Sequence, residues 1–379
     1  MTLPHFASSE AVVAALSPST PVYCVRPAAL HRAARLFLDH FPGDVLYAVK
    51  CNPGAHILRA LSHAGIRHFD TASLPEIEQI VEGFPDATAY FMHPIKSRGA
   101  IESAYKNHGV RHYVVDHASE LEKISEIIAP SREVVILVRL AVHHEGAFYE
   151  LSSKFGASVD DAVEQLQLAE QRGYSVGLAF HVGSQCLEPA AFCQGLQLVA
   201  EAAERSSVEL TCVDVGGGFP GNYLDSVAPT IPEYLKAISD ATADLRLPEG
   251  CRLLCEPGRA LTEEGESLIV QVQLRKTNSI YLNDGIYGGL SKENYGLRVP
   301  IRVVKTRDFA STTQPFTAFG PTCDSLDVCS KPISLPEDIR EGDWLEFGRI
   351  GAYSAACRTH FNGFYPDTFV AVESEFEAE

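Results

Sequence analysis

In the segment DVLYAVKCNPG, residues 44–54, five apolar residues from Val45 to Val49 run straight into an amine, Lys50, and the chain then turns through Asn52, Pro53 and Gly54. A short run that is apolar on both faces reads as a buried strand, so the ammonium is delivered at the strand's C-terminal end. A lysine drawn out of water is a nucleophile for carbonyl carbon. Reactive residues close other apolar runs in the same way: Asp70 in RHFD, Arg139 in VVILVRL, His181 in VGLAFHV with Ser184 just beyond, and Glu256 in RLLCE with Arg259 following. The run LTCVDV leads into GGGFPG, residues 216–221, where glycine lets backbone N–H groups close around a phosphate. Singly, each has a plain explanation, since strand-end lysines are mostly solvated charges and glycine runs serve tight turns. Their shared place at strand ends asks for a common cause.

The elements that position them repeat one unit. From residue 45 to 256, eight apolar runs (VLYAV, RHFD, TAYFM, RHYVVD, VVILVRL, VGLAFHV, LTCVDV and RLLCE) alternate with helix-patterned stretches at 54–64, 74–82, 97–107, 118–128, 158–172, 188–205 and 230–245. SLPE at 73–76 signals a helix start, with Ser, then Pro in the first turn, then Glu. This alternation predicts an α/β fold of parallel strands joined by right-handed crossovers. Eight such units predict a closed (β/α)8 TIM barrel over residues 27–257, with its chemistry at the C-terminal ends of the strands. After Arg259 the pattern becomes strand-like throughout: ESLIVQVQLRKT, SIYLNDG, RVPIRVVKT, FTAFG, GDWLEFG and TFVAVES. That predicts a C-terminal β-rich domain of sandwich or barrel type. The opening strand, PVYCV at 21–25, precedes the barrel and can join it; the boundaries drawn here group residues 1–26 with 258–379.

Bulk properties narrow the function classes. A chain of 379 residues accommodates two domains. The formal net charge of −18, with no Lys/Arg cluster to offset it locally, argues against nucleic acid and membrane partners. No run approaches the ~18 apolar residues of a membrane span, and MTLPHFASSE lacks the pattern of a secretory leader, so a cytoplasmic location is expected. The 10 cysteines form no CxxC pair, and Cys251 and Cys255 have no second pair or histidine partner, so no metal is expected. GGGFPG is not GxGxxG, and no acid follows at the dinucleotide spacing, which disfavours a nicotinamide cofactor.

A phosphate cradle and an amine on one rim point to pyridoxal 5′-phosphate. Its aldehyde needs an amine, met by Lys50, and its ring nitrogen needs a carboxylate that keeps it protonated, met by Glu256. His181 is placed to stack on the ring, and Arg259 adds a cation where the loops after strands seven and eight commonly hold phosphate.

Taken in order, YAVKCN, FDTAS, SSKFGA, FHVGSQC, DVGGGFPG, EPGR, GPTCDSLD and GAYSAA followed by FNGF resemble the eukaryotic-type ornithine decarboxylase family, from about residue 20 to 372. GPTCDSLD is the most specific of these, since it separates that branch from diaminopimelate decarboxylases and racemases. The resemblance implies an alanine-racemase-like, fold-type III barrel with a β domain, binding pyridoxal phosphate. It implies that Lys50 holds the aldehyde, that His181 stacks on the ring, and that Glu256 meets the ring nitrogen. Ser184, Gly217, Gly218, Gly258, Arg259 and Tyr353 would form the phosphate and cofactor cradle. Asp70, Glu76, Arg139 and Lys154 match family positions around the site or interface. Cys323 would return a proton to the α-carbon after carbon dioxide leaves, and Asp324 would bind the substrate's distal amine, with Tyr287 and Phe361 alongside. In such enzymes Cys323, Asp324 and Phe361 reach into the partner subunit's site, so a homodimer with shared active sites is expected.

One departure bears on the substrate. Relatives carry a Tyr-Asp pair shortly after the DGxYG turn, whereas NDGIYGGLSKENYGLRVP, residues 283–300, has Tyr295 followed by Gly296. Glu293 is a possible substitute for the missing acid, and an inward-turned Arg298 would attract a carboxylate instead. A lost charge-assisted hydrogen bond is worth about 1.5–3 kcal/mol, enough to change preference among basic amino acids. The expected function is decarboxylation of L-ornithine or L-lysine to putrescine or cadaverine, as in polyamine biosynthesis. The alternatives are a decarboxylase for a modified amino acid, such as a siderophore precursor, and a non-catalytic regulator of the same fold.

Overall fold

Eight short strands lie parallel and close on themselves: Asp44–Ala48, His68–Thr71, Thr88–Phe91, His112–Val115, Val135–Leu140, Ser175–Phe180, Leu210–Asp214 and Arg252–Cys255. We call them the first to eighth barrel strands. The eighth returns to pair with the first through Leu254 and Cys255 against Asp44 and Val45. The computed structural model describes residues 3–144, 147–149, 153–245, 247–294 and 296–377. All eight apolar runs named above are strands, and the α/β class with a (β/α)8 barrel is the fold.

One buried cluster fills the lumen with Leu46, Tyr90, Met92, Val114, Leu137, Ala179, Cys212 and Leu254, drawn from every barrel strand but the second. The larger cluster lies between the strands and the surrounding helices. A packed lumen of this kind leaves only the strand ends free for chemistry. Seven helices occupy the segments where helical spacing was found, from Ala55–Ala64 to Ile231–Ala243, and Pro27–His40 precedes the first strand. The SLPE signal does begin a helix, Leu74–Gly83, but its capping differs from expectation. The Ser73 side chain makes no cap hydrogen bond, and Glu76 reaches back to accept the Ala72 N–H at 2.6 Å.

Among the described residues, Ala147–Tyr149 pairs with Ser184–Cys186 in a separate two-stranded sheet, and the other nine remaining strands form a second, larger one. Val22–Val25 runs parallel to Thr368–Val372 and antiparallel to Glu266–Lys276, so PVYCV lies in this sheet and not in the barrel. The 11-residue strand Glu266–Lys276 also pairs with Ser279–Leu282 and Trp344–Phe347. A helix that the sequence reading did not anticipate, Ser9–Leu16, is capped by Ser8 and packs Val12 and Val13 onto Val22, Ile269 and Val370. Its eight residues give too little periodicity to stand out. Among the described residues, no helix is long and apolar enough to cross a membrane, and no group of three or more metal-ligating side chains is found.

Candidate active site at the barrel mouth

The first barrel strand ends in a single 3-10 turn, Val49–Cys51, which carries Lys50. The turn is held from both sides. The Tyr47 hydroxyl donates to the Asn52 carbonyl at 2.9 Å, and the Asn52 amide donates to Glu266 and to the Gly351 carbonyl at 2.8 and 2.9 Å. Lys50 Nζ donates to Asp70 Oδ2 at 2.6 Å, with Asp70 buried while the lysine side chain stays 42% exposed to the mouth.

Asp70, at the end of the second strand, belongs to a buried group with Asp214 from the seventh and Glu256 just past the eighth. Desolvation, then the charges of Asp70 and Asp214, push the Glu256 carboxyl well above its usual range. Desolvation likewise raises Asp214, whose Oδ1 accepts the Gly216 N–H at 2.7 Å while its buried Oδ2 has no partner among the described residues. Desolvation opposes the Lys50 ammonium, but Asp70 and Glu256 outweigh it and raise its pKa. Arg139 is the second cation of this group. Burial lowers its pKa against the pull of Glu256, Asp116 and Asp70, and its Nε is unpartnered among the described residues.

His181, just after the sixth strand, is pushed well below the ordinary histidine range by desolvation and by Arg139 and Lys50, so it is a neutral imidazole. Its Nδ1 lies 3.0 Å from the Gly183 N–H and accepts from it, which leaves the proton on Nε2. A Cβ on Gly217 would stand 2.6 Å from the Glu256 carbonyl and 3.1 Å from His181 Nε2, so only glycine lets this backbone lie against the ring. Gly218 takes φ +107°, a left-handed conformation that favours glycine.

Beyond the glycine loop lies a second cationic subsite. Arg259 opens the short helix Arg259–Thr262 after the Pro257-Gly258 turn. Its Nη2 donates to Ser184 Oγ at 3.1 Å and its Nη1 to Tyr223 Oη at 2.9 Å, while its buried Nε has no partner among the described residues. Its guanidinium carbon lies 5.1 Å from the Tyr353 ring centroid. Gly258 packs against Cys51, where a Cβ would come within 3.0 Å. Lys50, Asp70, Arg139, His181, Ser184, Gly217, Gly218, Glu256, Gly258, Arg259 and Tyr353 thus meet around one mouth, with half-buried Glu76 beside Asp70. Lys154 is exposed and stacks its ammonium 4.9 Å from the Phe155 ring.

Cys323, Asp324, Tyr287 and Phe361 form a separate cluster on the second domain. The Tyr287 hydroxyl donates to Asp324, the Tyr287 and Phe361 rings are 4.8 Å apart, and Asn362 accepts the N–H of the exposed Cys323. The Arg298 guanidinium meets Asp225 at 3.4 Å, and Lys331 meets the same carboxylate at 2.9 Å. The Glu293 side chain and Tyr295 lie outside the described residues.

Four participants were not singled out from the sequence. Asp214 had a visible signal, an acid at a strand end directly before GGG. Asp327 was quoted within GPTCDSLD without a task; its carboxylate accepts the Ile286 N–H, the Thr322 N–H and the Thr322 hydroxyl at 2.9, 3.0 and 2.7 Å, and so fixes the loop carrying Cys323. Tyr223 and Lys292 had no local signal, since only the tertiary fold brings them to Arg259.

The residues fit pyridoxal phosphate on two observations. Among the described residues, the buried carboxyl groups of Asp70, Asp214 and Glu256 face two cations, Lys50 and Arg139, which leaves room for one more positive group beside Glu256. On the other side, a buried guanidinium with an unpartnered Nε lines a backbone cradle that a Cβ would fill, as an anion requires. The pyridoxal-binding domain of pyridoxal-dependent decarboxylases matches residues 28–263. The chain is 34% identical to a probable ornithine decarboxylase of Dictyostelium discoideum, over 84% of this chain and 72% of that one. It is 33% identical to a lysine/ornithine decarboxylase of Selenomonas ruminantium, over 89% and 86% of the two chains. The crystal structure of a lysine/ornithine decarboxylase from Vibrio vulnificus complexed with putrescine superposes with a TM-score of 0.83 at 29% identity, covering 97% of this chain and 99% of the other. By the domain that matches residues 28–263 and by its identity to these relatives, the chain belongs to the pyridoxal-dependent decarboxylase family.

Proposed function

We propose that this chain removes the α-carboxylate of a basic amino acid, L-ornithine or L-lysine, to give putrescine or cadaverine. The observation that carries the reading is the convergence on one mouth of an amine against a carboxylate, a neutral imidazole and a cation-lined glycine cradle. When bound, pyridoxal phosphate supplies an aldehyde carbon for amines and a ring that accepts the electron pair left by the departing carboxylate. Lys50 is the amine that holds the aldehyde, and Asp70, 2.6 Å away, is the acceptor for the proton Lys50 must shed. Glu256, backed by Asp214, keeps a proton at the ring nitrogen. The neutral His181 offers a flat face to the ring without adding a charge that would oppose that proton. Ser184, Gly217, Gly218, Gly258, Arg259 and Tyr353 hold the phosphate end, and Arg139 balances the carboxylates.

In the same proposal, Cys323 Sγ returns the proton to the α-carbon and Asp324 meets the distal ammonium, both from the partner subunit of a homodimer. The contacts that Cys323, Asp324, Tyr287 and Phe361 make are with one another and their own loops, which supports a site assembled from two copies. So does the exposure of Leu326, Phe361 and Phe364 around Cys323 at 68, 43 and 41%. Residues 27–257 would serve as the cofactor-binding domain, and 1–26 with 258–379 as the domain that presents Cys323. Arg298 is already met by Asp225, which gives no support to a substrate bearing an extra carboxylate.

The test is to give the cofactor-loaded protein ornithine, lysine, arginine, 2,4-diaminobutyrate and citrulline, and to follow carbon dioxide and amine together. Turnover of ornithine or lysine in preference to the others supports the proposal. Carbon dioxide from none of them overturns it.

A further inference from the structure

Behind Arg259, a buried lysine is tied to the same phenol that Arg259 uses. Lys292, on the short helix Ser291–Asn294, is 2% exposed; its Nζ donates to Tyr223 Oη at 3.1 Å and to the Arg349 carbonyl at 2.9 Å. Arg259 Nη1 donates to that same oxygen at 2.9 Å. Two cations therefore point donors at one phenolic oxygen, whose two acceptor positions are both taken. The remaining direction of the Tyr223 hydroxyl is its own proton, a donor for which the described residues offer no acceptor.

Placing two buried like charges about one phenol is unfavourable without an anion. Desolvation, then the charge of Arg259, lower the Lys292 pKa to about 7 against the opposing pull of Glu263, Cys51 and Glu266, so an anion on the Arg259 side would favour the charged amine. The arrangement is explained if a dianion docks on the Arg259 side. Both ends of the row Lys292, Tyr223, Arg259, Ser184 would then be satisfied.

We propose that Lys292 is a positioning residue for the phosphate end of the cofactor: through Tyr223 it fixes the Arg259 guanidinium, and it adds the second positive charge that a phosphate dianion requires. This rests on the reading of the Arg259 cradle as the phosphate anchor. Lys292 touches neither the aldehyde nor the ring, so its effect falls on the phosphate alone.

Pyridoxal, which lacks the phosphate, separates that effect from general damage. Apo-protein is titrated with pyridoxal phosphate and with pyridoxal, reading the absorbance of the Lys50-bound chromophore, for the wild type, Lys292→Met and Tyr223→Phe. We expect Lys292→Met to weaken pyridoxal phosphate by about tenfold or more and pyridoxal by less than about twofold. Tyr223→Phe, which keeps the ring and removes the shared oxygen, is expected to act in the same direction. Should Lys292→Met fail to fold, as judged by circular dichroism, the ratio in Tyr223→Phe decides. Equal weakening of both ligands, or of neither, in the folded variants overturns the proposal. An Arg259→Met control that leaves the pyridoxal phosphate affinity unchanged would instead overturn the anchor reading beneath it.

Discussion

The Lys50 amine is held as an ammonium by the acids around it, yet its proposed task requires a neutral nitrogen. Asp70 is the nearest of these acids, so Asp70→Asn should let Lys50 lose its proton more easily. The pH midpoint for cofactor capture by the apo-protein is expected to fall by about one unit, as read by stopped-flow absorbance across pH. An unchanged midpoint would show that Asp70 does not set the lysine's charge. Glu256 carries the opposite requirement, since its proton is useful only if shared with the ring nitrogen. Glu256→Gln should cut kcat about a hundredfold or more while leaving substrate KM within a few-fold. A kcat within threefold of wild type would remove Glu256 from the chemistry. Away from the site, burial pushes the Asp284 carboxyl up to about 7 from an ordinary 3.8. The folded chain therefore binds this proton more tightly than the unfolded chain. Stability from this source is complete below about pH 4 and is lost as pH rises toward 7, up to about 4 kcal/mol. Denaturant melts of wild type against Asp284→Asn should diverge over that interval, the wild type losing relative stability as pH rises.

At the scale of elements, strand ends and loops do the positioning, and their legibility differed. The barrel runs stood out because each is a short apolar block followed by a helical period, so the strand ends holding Lys50, Asp70, Arg139, His181 and Glu256 were readable. Asp327 was not, because its work is to satisfy three donors of a loop, and donors do not announce themselves in a sequence. Asp327→Ala leaves those donors unpaired, at a cost of about 2–3 kcal/mol, and should free the loop at 320–327. Hydrogen exchange there is expected to quicken while exchange at the first barrel strand is unchanged; no local change would contradict this account of the loop. Helix Ser9–Leu16 escaped because two buried valines on eight residues make no clear period. Lys292 and Tyr223 escaped for a different reason: neither lies near Arg259 in sequence, and only the barrel mouth brings them together.

At the scale of the molecule, the barrel mouth holds the proposed cofactor groups and the second domain holds Cys323 and Asp324. A shared-site dimer predicts complementation. Lys50→Ala and Cys323→Ala should each be nearly inactive alone, and mixing with subunit exchange should restore about a quarter of wild-type turnover, since half the dimers carry one intact site. No recovery in a mixture shown to exchange would place both groups in one subunit's site. The central claim is simpler and more exposed to refutation. Borohydride reduction of the protein with pyridoxal phosphate, followed by peptide mass mapping, should place the cofactor's mass on Lys50 alone. An adduct on Lys292, the buried lysine behind Arg259, or on no lysine at all, would contradict the account.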